Sequence, residues 1–184
     1  RPMSAGILNT TLPSGANSLT LSGDLSGFTG TLNVGTGSGG GKLVFSNATQ
    51  VPSSSATINV AANGTLYVFN ALNYGSSLSL NGGTTGEALG QLRIEGNANW
   101  TGGVTLKANS SIGANTGTGT ISGNIGESGG SFGFTKVGAG TTVISGNNSY
   151  SGTTTISGGT LSVGHNSALG TGSVAFNGGT LAAT

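Results

Sequence analysis

Phe134 to Leu181 reads FTKVGAGTTVISGNNSYSGTTTISGGTLSVGHNSALGTGSVAFNGGTL, and this stretch decides the fold. Within it Ile156-Ser157-Gly158-Gly159-Thr160-Leu161 returns twenty residues later as Phe176-Asn177-Gly178-Gly179-Thr180-Leu181. Working outward, Ile144-Ser145-Gly146-Asn147-Asn148-Ser149-Tyr150-Ser151-Gly152 aligns with Ile94-Glu95-Gly96-Asn97-Ala98-Asn99-Trp100-Thr101-Gly102. A looser copy runs from Leu21 to Gly30. The shared marker is an aromatic, Ser or Thr, then Gly, at Phe28, Trp100 and Tyr150. These positions are 72 and 50 residues apart, both near multiples of about 24, a period typical of solenoids.

The repeating unit is made of strands. Apolar pairs spaced two apart recur along the chain: Leu19/Leu21, Leu32/Val34, Leu43/Phe45, Ile58/Val60, Leu66/Val68, Leu78/Leu80, Leu92/Ile94, Val104/Leu106, Phe132/Phe134, Leu161/Val163 and Val174/Phe176. Period two with Gly, Asn and Ser clusters between marks short strands with one buried face and sharp corners. Such strands cannot bury enough surface alone, so they must stack. The expected fold is all-β: one right-handed parallel β-helix over residues 1–184, about seven coils tall. The chain stops inside a repeat with no polar capping element, which predicts an open-ended fragment of a longer solenoid. Gly35 to Gly41, Gln50 to Ser55 and Asn73 to Ser77 are expected loops. Asn109 to Gly130 has only Ile112, Ile121 and Ile125 as apolar anchors, which leaves its register open.

Composition narrows the function. Charged residues are 5% of the 184 and the formal net charge is +1, with Arg1, Lys42, Arg93, Lys107 and Lys136 scattered. That provides no field for nucleic acid. With no cysteine there is neither a disulfide framework nor a thiolate metal site. The start of the sequence has no signal-like apolar core, and no stretch approaches a membrane-spanning helix.

Candidate chemistry is sparse. The acids are Asp24, Glu87, Glu95 and Glu127. Glu87 and Glu95 could neighbour one another, but a solvated ion pair of Glu95 with Arg93 is the simpler reading. One aspartate cannot build a glycine-rich calcium repeat. His165 is the sole histidine, so no metal cluster forms around it. The Gly pairs lack a following helix and are corners, not phosphate loops. Phe28, Trp100 and Tyr150 share a repeat position and are expected as corner plugs stacked along one edge. The candidate surface ligand patch is Tyr67, Phe69 and Tyr74, with Tyr67 and Phe69 opposite the inward Leu66 and Val68. No catalytic residue, cofactor or metal ligand emerges.

The stretch from 134 to 184 resembles the passenger-associated transport repeat of bacterial autotransporters. The resemblance rests on Lys136-Val137-Gly138-Ala139-Gly140-Thr141, Ser145-Gly146-Asn147-Asn148-Ser149-Tyr150-Ser151-Gly152 and Gly158-Gly159-Thr160-Leu161. It continues through Ala168-Leu169-Gly170-Thr171-Gly172 into Asn177-Gly178-Gly179-Thr180-Leu181. It implies a non-enzymatic passenger segment at the surface of a Gram-negative bacterium, a rigid stalk or adhesin scaffold exported through a C-terminal β-barrel translocator outside these residues. It further implies that the last repeat assists export, with a host surface or glycan as the other partner of an adhesin; the open coil ends separately lead us to expect end-to-end self-association. Thr142 departs from the family's apolar preference, which predicts a shallower strand there. Two other classes are weighed. Ice binding is prompted by Thr116/Thr118/Thr120 and Thr153/Thr155, which do not recur at the expected coil period. Polysaccharide cleavage lacks the necessary carboxylates.

Overall fold

The computed structural model describes residues 4–10, 18–21, 23–35, 41–83, 85 and 88–184. The chain winds as a β-solenoid. Its strands are β1 (Ile7–Thr10), β2 (Leu19–Thr20), β3 (Thr31–Val34), β4 (Gly41–Phe45), β5 (Thr57–Val60), β6 (Gly64–Val68) and β7 (Asn73–Tyr74). They continue as β8 (Ser77–Leu80), β9 (Leu92–Ile94), β10 (Asn99–Trp100), β11 (Val104–Leu106), β12 (Ser110–Gly113), β13 (Thr118–Ile121) and β14 (Ile125–Glu127). The last are β15 (Phe134–Val137), β16 (Thr141–Ile144), β17 (Thr154–Ile156), β18 (Thr160–Val163), β19 (Val174–Phe176) and β20 (Thr180–Ala183). Among the described residues the helical content is one short 3-10 turn, Ala48–Gln50.

The strands form three parallel sheets. The first runs β1-β3-β5-β8-β11-β14, the second β2-β4-β6-β9-β12-β15-β17-β19 and the third β7-β10-β13-β16-β18-β20. The eight strands of the second sheet are seven rises apart, a height of about 34 Å at the usual strand spacing. Inward side chains fill the bore: Leu32, Val34, Leu43, Phe45, Ile58, Val60, Leu66, Val68, Leu80, Leu92 and Ile94 are all at most 1% exposed. Each inward residue therefore stacks on its counterpart in the next coil, and no strand has to be stable alone.

The coil is less regular than the sequence period. Ile7 pairs with Thr31, Thr31 with Thr57 and Thr57 with Ser77, whereas in the last coils Ile156 pairs with Phe176 and Leu161 with Leu181. The twenty-residue repeat is thus a true coil, but the Ile94-to-Gly102 match with Ile144-to-Gly152 is not. Ile94 ends β9 in the second sheet and Ile144 ends β16 in the third. Trp100 is in register with Ile121, and Ile121 with Ile144, so Tyr150 occupies a later corner. The first sheet stops at β14, so the chain after β16 passes through Tyr150 directly into β17, and the motif recurs at a different corner.

Three local expectations change. Asn73 to Ser77 is not a loop: β7 and the start of β8 lie there, because Tyr74 turns inward between Phe45 and Trp100. Gln50 is buried, not part of a loose excursion. Its Nε2 donates to the Leu21 carbonyl and its Oε1 accepts from Ser46 N at 2.6 Å. Thr142 is not shallow; its register with Gly119 and Leu161 sends it fully inward. The open register of 109–130 is fixed by β12 to β14, whose Ile112, Ile121 and Ile125 are fully buried. In the Gly35-to-Gly41 stretch residues 36–40 lie outside the described residues, and Gly41 begins β4.

Candidate functional site

Two constellations stand out: a cluster on the outer face of the second sheet, and a set of buried polar groups closing the late coils. The outer cluster begins at β6, where alternation buries Leu66 and Val68 and turns Tyr67 outward. The Tyr67 and Phe69 rings stack with centroids 5.0 Å apart at 29°. Tyr67 is in register with Arg93 of β9, whose guanidinium carbon lies 4.1 Å from the Tyr67 centroid, while Lys42 Nζ lies at 5.9 Å. Arg93 Nε donates to Glu95 Oε1 at 2.6 Å, and that oxygen also accepts from Asn115 N at 2.8 Å. The Tyr67 hydroxyl donates to Glu95 Oε2 at 3.3 Å. The ion pair is present, but Glu95 is only 5% exposed and is not the solvated partner expected. The cluster acts as a roof over the flank of the second sheet, held by cation–π and charge-assisted contacts.

Of the three residues anticipated for a ligand patch, the structure brings Tyr67 and Phe69 together outside and places Tyr74 in the core, 1% exposed. Its ring lies 6.4 Å from Phe45 and 5.7 Å from Trp100, stacked nearly parallel to both. Its hydroxyl donates to the Phe69 carbonyl at 3.0 Å, fixing the patch from beneath, and burial pushes the phenol up to about 12. Phe28, Trp100 and Tyr150 are all fully buried plugs, yet Trp100 stacks on Tyr74 and Tyr150 packs edge-on against Phe134 at 5.6 Å. They do not form one column, because Tyr150 belongs to another corner.

The second constellation centres on Lys136. Alternation along β15 turns Phe134 and Lys136 inward, and Lys136 is fully buried. Its Nζ donates to four backbone carbonyls: Val137 at 2.9 Å, Gly138 at 3.0 Å, Gly140 at 3.0 Å and Gly158 at 3.1 Å. The first three line the tight turn into β16, and the fourth belongs to the next coil. Burial pushes the amine down to about 8, so it remains an ammonium at neutral pH. Only glycine suits this turn: Gly138 has φ 77°, and a Cβ there would sit 2.3 Å from the Ala114 carbonyl oxygen.

Later in the same coil, Asn148 Oδ1 accepts from Ile125 N at 2.7 Å while its Nδ2 donates to the Ala168 carbonyl at 2.6 Å. This side chain bridges the preceding and following coils. Tyr150 OH pairs with Thr154 Oγ1 at 2.6 Å inside the core, and burial pushes that phenol up to about 12. At sequence level Lys136 looked like one of several scattered cations. Its period-two position after Phe134 was the signal that it faces inward.

Other candidates fall apart as sites. His165 is exposed, its Nδ1 accepting from Ser167 N at 3.0 Å in a turn. Asp24 holds Ser26, whose hydroxyl keeps the carboxyl below its usual range. Glu127 accepts from Ser151 Oγ at 2.6 Å and Phe132 N at 2.6 Å, contacts that likewise hold its carboxyl low. Glu87 lies outside the described residues. Among the described residues no three His, Cys, Asp or Glu side chains gather as a metal site. Thr118 does recur, in register with Thr141, Thr160 and Thr180, because the late coils are shorter than 24 residues. Two positions on, however, Thr120 is followed by Val143, Ser162 and Ala182, so the Thr-x-Thr doublet of an ice-binding ladder is not repeated.

Lys136, Asn148 and Tyr150 all fall inside residues 134–163, which match the passenger-associated-transport-repeat family model. The chain carries an autotransporter passenger repeat. Over 140 residues, 73% of its length, it is 35% identical to the adhesin BmaC autotransporter of Brucella suis biovar 1 (strain 1330). It spans about 3% of that adhesin's length. No solved structure matches it. The passenger repeat thus lies on a β-solenoid, and within the residues it matches Lys136 and Asn148 bond one coil to the next.

Proposed function

We propose that this segment is a non-enzymatic stalk of a passenger displayed on or released from a Gram-negative cell surface, and that its repeat at 134–163 assists export by folding first. The partner implied is a C-terminal β-barrel translocator in the same polyprotein. The observation carrying this is that two buried polar side chains of the repeat are satisfied across coil boundaries: Lys136 by Gly158, and Asn148 by both Ile125 and Ala168. An unpaired buried polar group costs about 1–3 kcal/mol, so each coil gains by docking onto a folded neighbour. Docking outside the membrane opposes back-sliding of the chain.

The test fuses the 184 residues ahead of an autotransporter barrel and measures surface display. Paired Lys136→Met and Asn148→Ala substitutions should lower display several-fold, while an equally destabilising Ile58→Ala in an early coil should not. Equal display of all three chains would refute the export role.

A further inference from the structure

A groove of about 400 Å³ crosses the corner at which the chain enters β12, β15, β17 and β19. Two of its lining residues, Gly133 and Gly152, carry no side chain. A Cβ on Gly133 would lie 1.9 Å from the Thr153 carbonyl oxygen, and one on Gly152 2.2 Å from the Phe132 carbonyl carbon, so both positions admit only glycine. The walls are hydroxyls paired along the rod axis. Ser131 Oγ lies 2.9 Å from Ser151 Oγ, and Thr153 Oγ1 lies 3.0 Å from Ser173 Oγ. All four residues are exposed. Among the described lining residues there is no charged group, and the one large apolar side chain, Phe134, is itself 1% exposed.

Hydroxyls stand on the three successive coils of β15, β17 and β19, about 4.8 Å apart, with Ser131 and Ser151 in one row and Thr153 and Ser173 in the next, and each both donates and accepts. A matching ligand has the same axial repeat and the same mixed hydrogen-bonding capacity. A sugar unit in an extended polysaccharide is of similar length. Peptides fit poorly, since β12, β15 and β17 are already paired on both sides and the groove has no open apolar pocket to take anchoring side chains. Anionic chains are disfavoured by Glu127, whose carboxylate grips Ser151 at the rim and remains ionised.

We propose that this groove is a binding site for a linear neutral glycan laid along the rod axis, one sugar unit per coil. The site extends over three rises, about 14 Å, so affinity should climb with chain length to three or four units and then level off. The proposal goes beyond the export role and does not depend on Lys136, so either can fail alone.

The test is titration calorimetry of the 184-residue chain with neutral glucan, mannan and galactan oligosaccharides of two to six units, with hyaluronate as the acidic comparison. One neutral series should bind with the stated length dependence. A Thr153→Val, Ser173→Ala chain, and separately a Ser131→Gln chain that narrows the groove, should each weaken binding at least tenfold at unchanged melting temperature, while Tyr67→Ala leaves it intact. Absence of binding by every neutral series at millimolar concentration would overturn the proposal. So would binding that survives both groove variants, or hyaluronate binding of equal strength.

Discussion

Replacing Lys136 with Met isolates the most unusual interaction in the chain. Methionine fills nearly the same volume and removes only the ammonium. The three N–H groups of Lys136 are shared among four carbonyls at 2.9–3.1 Å. Bonds to a charged donor contribute about 1.5–3 kcal/mol each, while burying the charge costs several kcal/mol. Of the four carbonyls, Gly140 also accepts from Thr160 N at 3.2 Å and keeps that partner. The expected net loss is about 3 kcal/mol, the size usual for removing one partner from a buried polar set.

Urea unfolding should show the midpoint falling with an unchanged slope. The pH dependence adds a second signature. Because burial lowers the amine to about 8 against 10.5 unfolded, the native state sheds its proton first, and stability rises between those two pH values. Lys136→Met should lack that rise, so its deficit widens as pH increases from 8 to 10.5. A Met chain as stable as the parent, or more so, would refute the claim that the bonds from Lys136 to the four carbonyls hold the corner together.

Other outcomes follow from the same geometry. Thr142 is fully buried with an unpartnered hydroxyl, so Thr142→Val should stabilise by about 1 kcal/mol, read by thermal melting. A Cβ on Gly123 would lie 1.9 Å from the Gly102 carbonyl oxygen, so Gly123→Ala should cost about 3 kcal/mol by urea unfolding. Glu127 is held low by Ser151 and Phe132, so its contribution is present above its unfolded value of 4.5 and lost as pH falls through the lower native one. Glu127→Gln should flatten the acid limb of the melting curve.

The solenoid was legible in the sequence because inward pairs such as Ile58/Val60 and Leu92/Ile94 keep a strict period of two, and the Gly-Gly-Thr-Leu corner returns after one coil. The register was less legible. Coil length drifts as corners lengthen and shorten, so the aromatic-Ser/Thr-Gly marker at Trp100 and Tyr150 signals two different corners with the same local chemistry. Of the outer cluster, Tyr67 and Phe69 could be placed by alternation, whereas Tyr74 could not: its short strand is defined by stacking on Phe45 and Trp100, contacts far apart in sequence. Lys136 was hidden because charge normally marks the surface. Only its carbonyl cradle, assembled from two coils, makes an inward ammonium tolerable.

The most direct measurement of the central claim is native-state hydrogen exchange across the chain. If coils of the passenger repeat are locked to one another by Lys136, Asn148 and Tyr150, amides within 134–163 should exchange slowest and with similar opening free energies. Faster exchange there than in the β5 to β9 coils would contradict it.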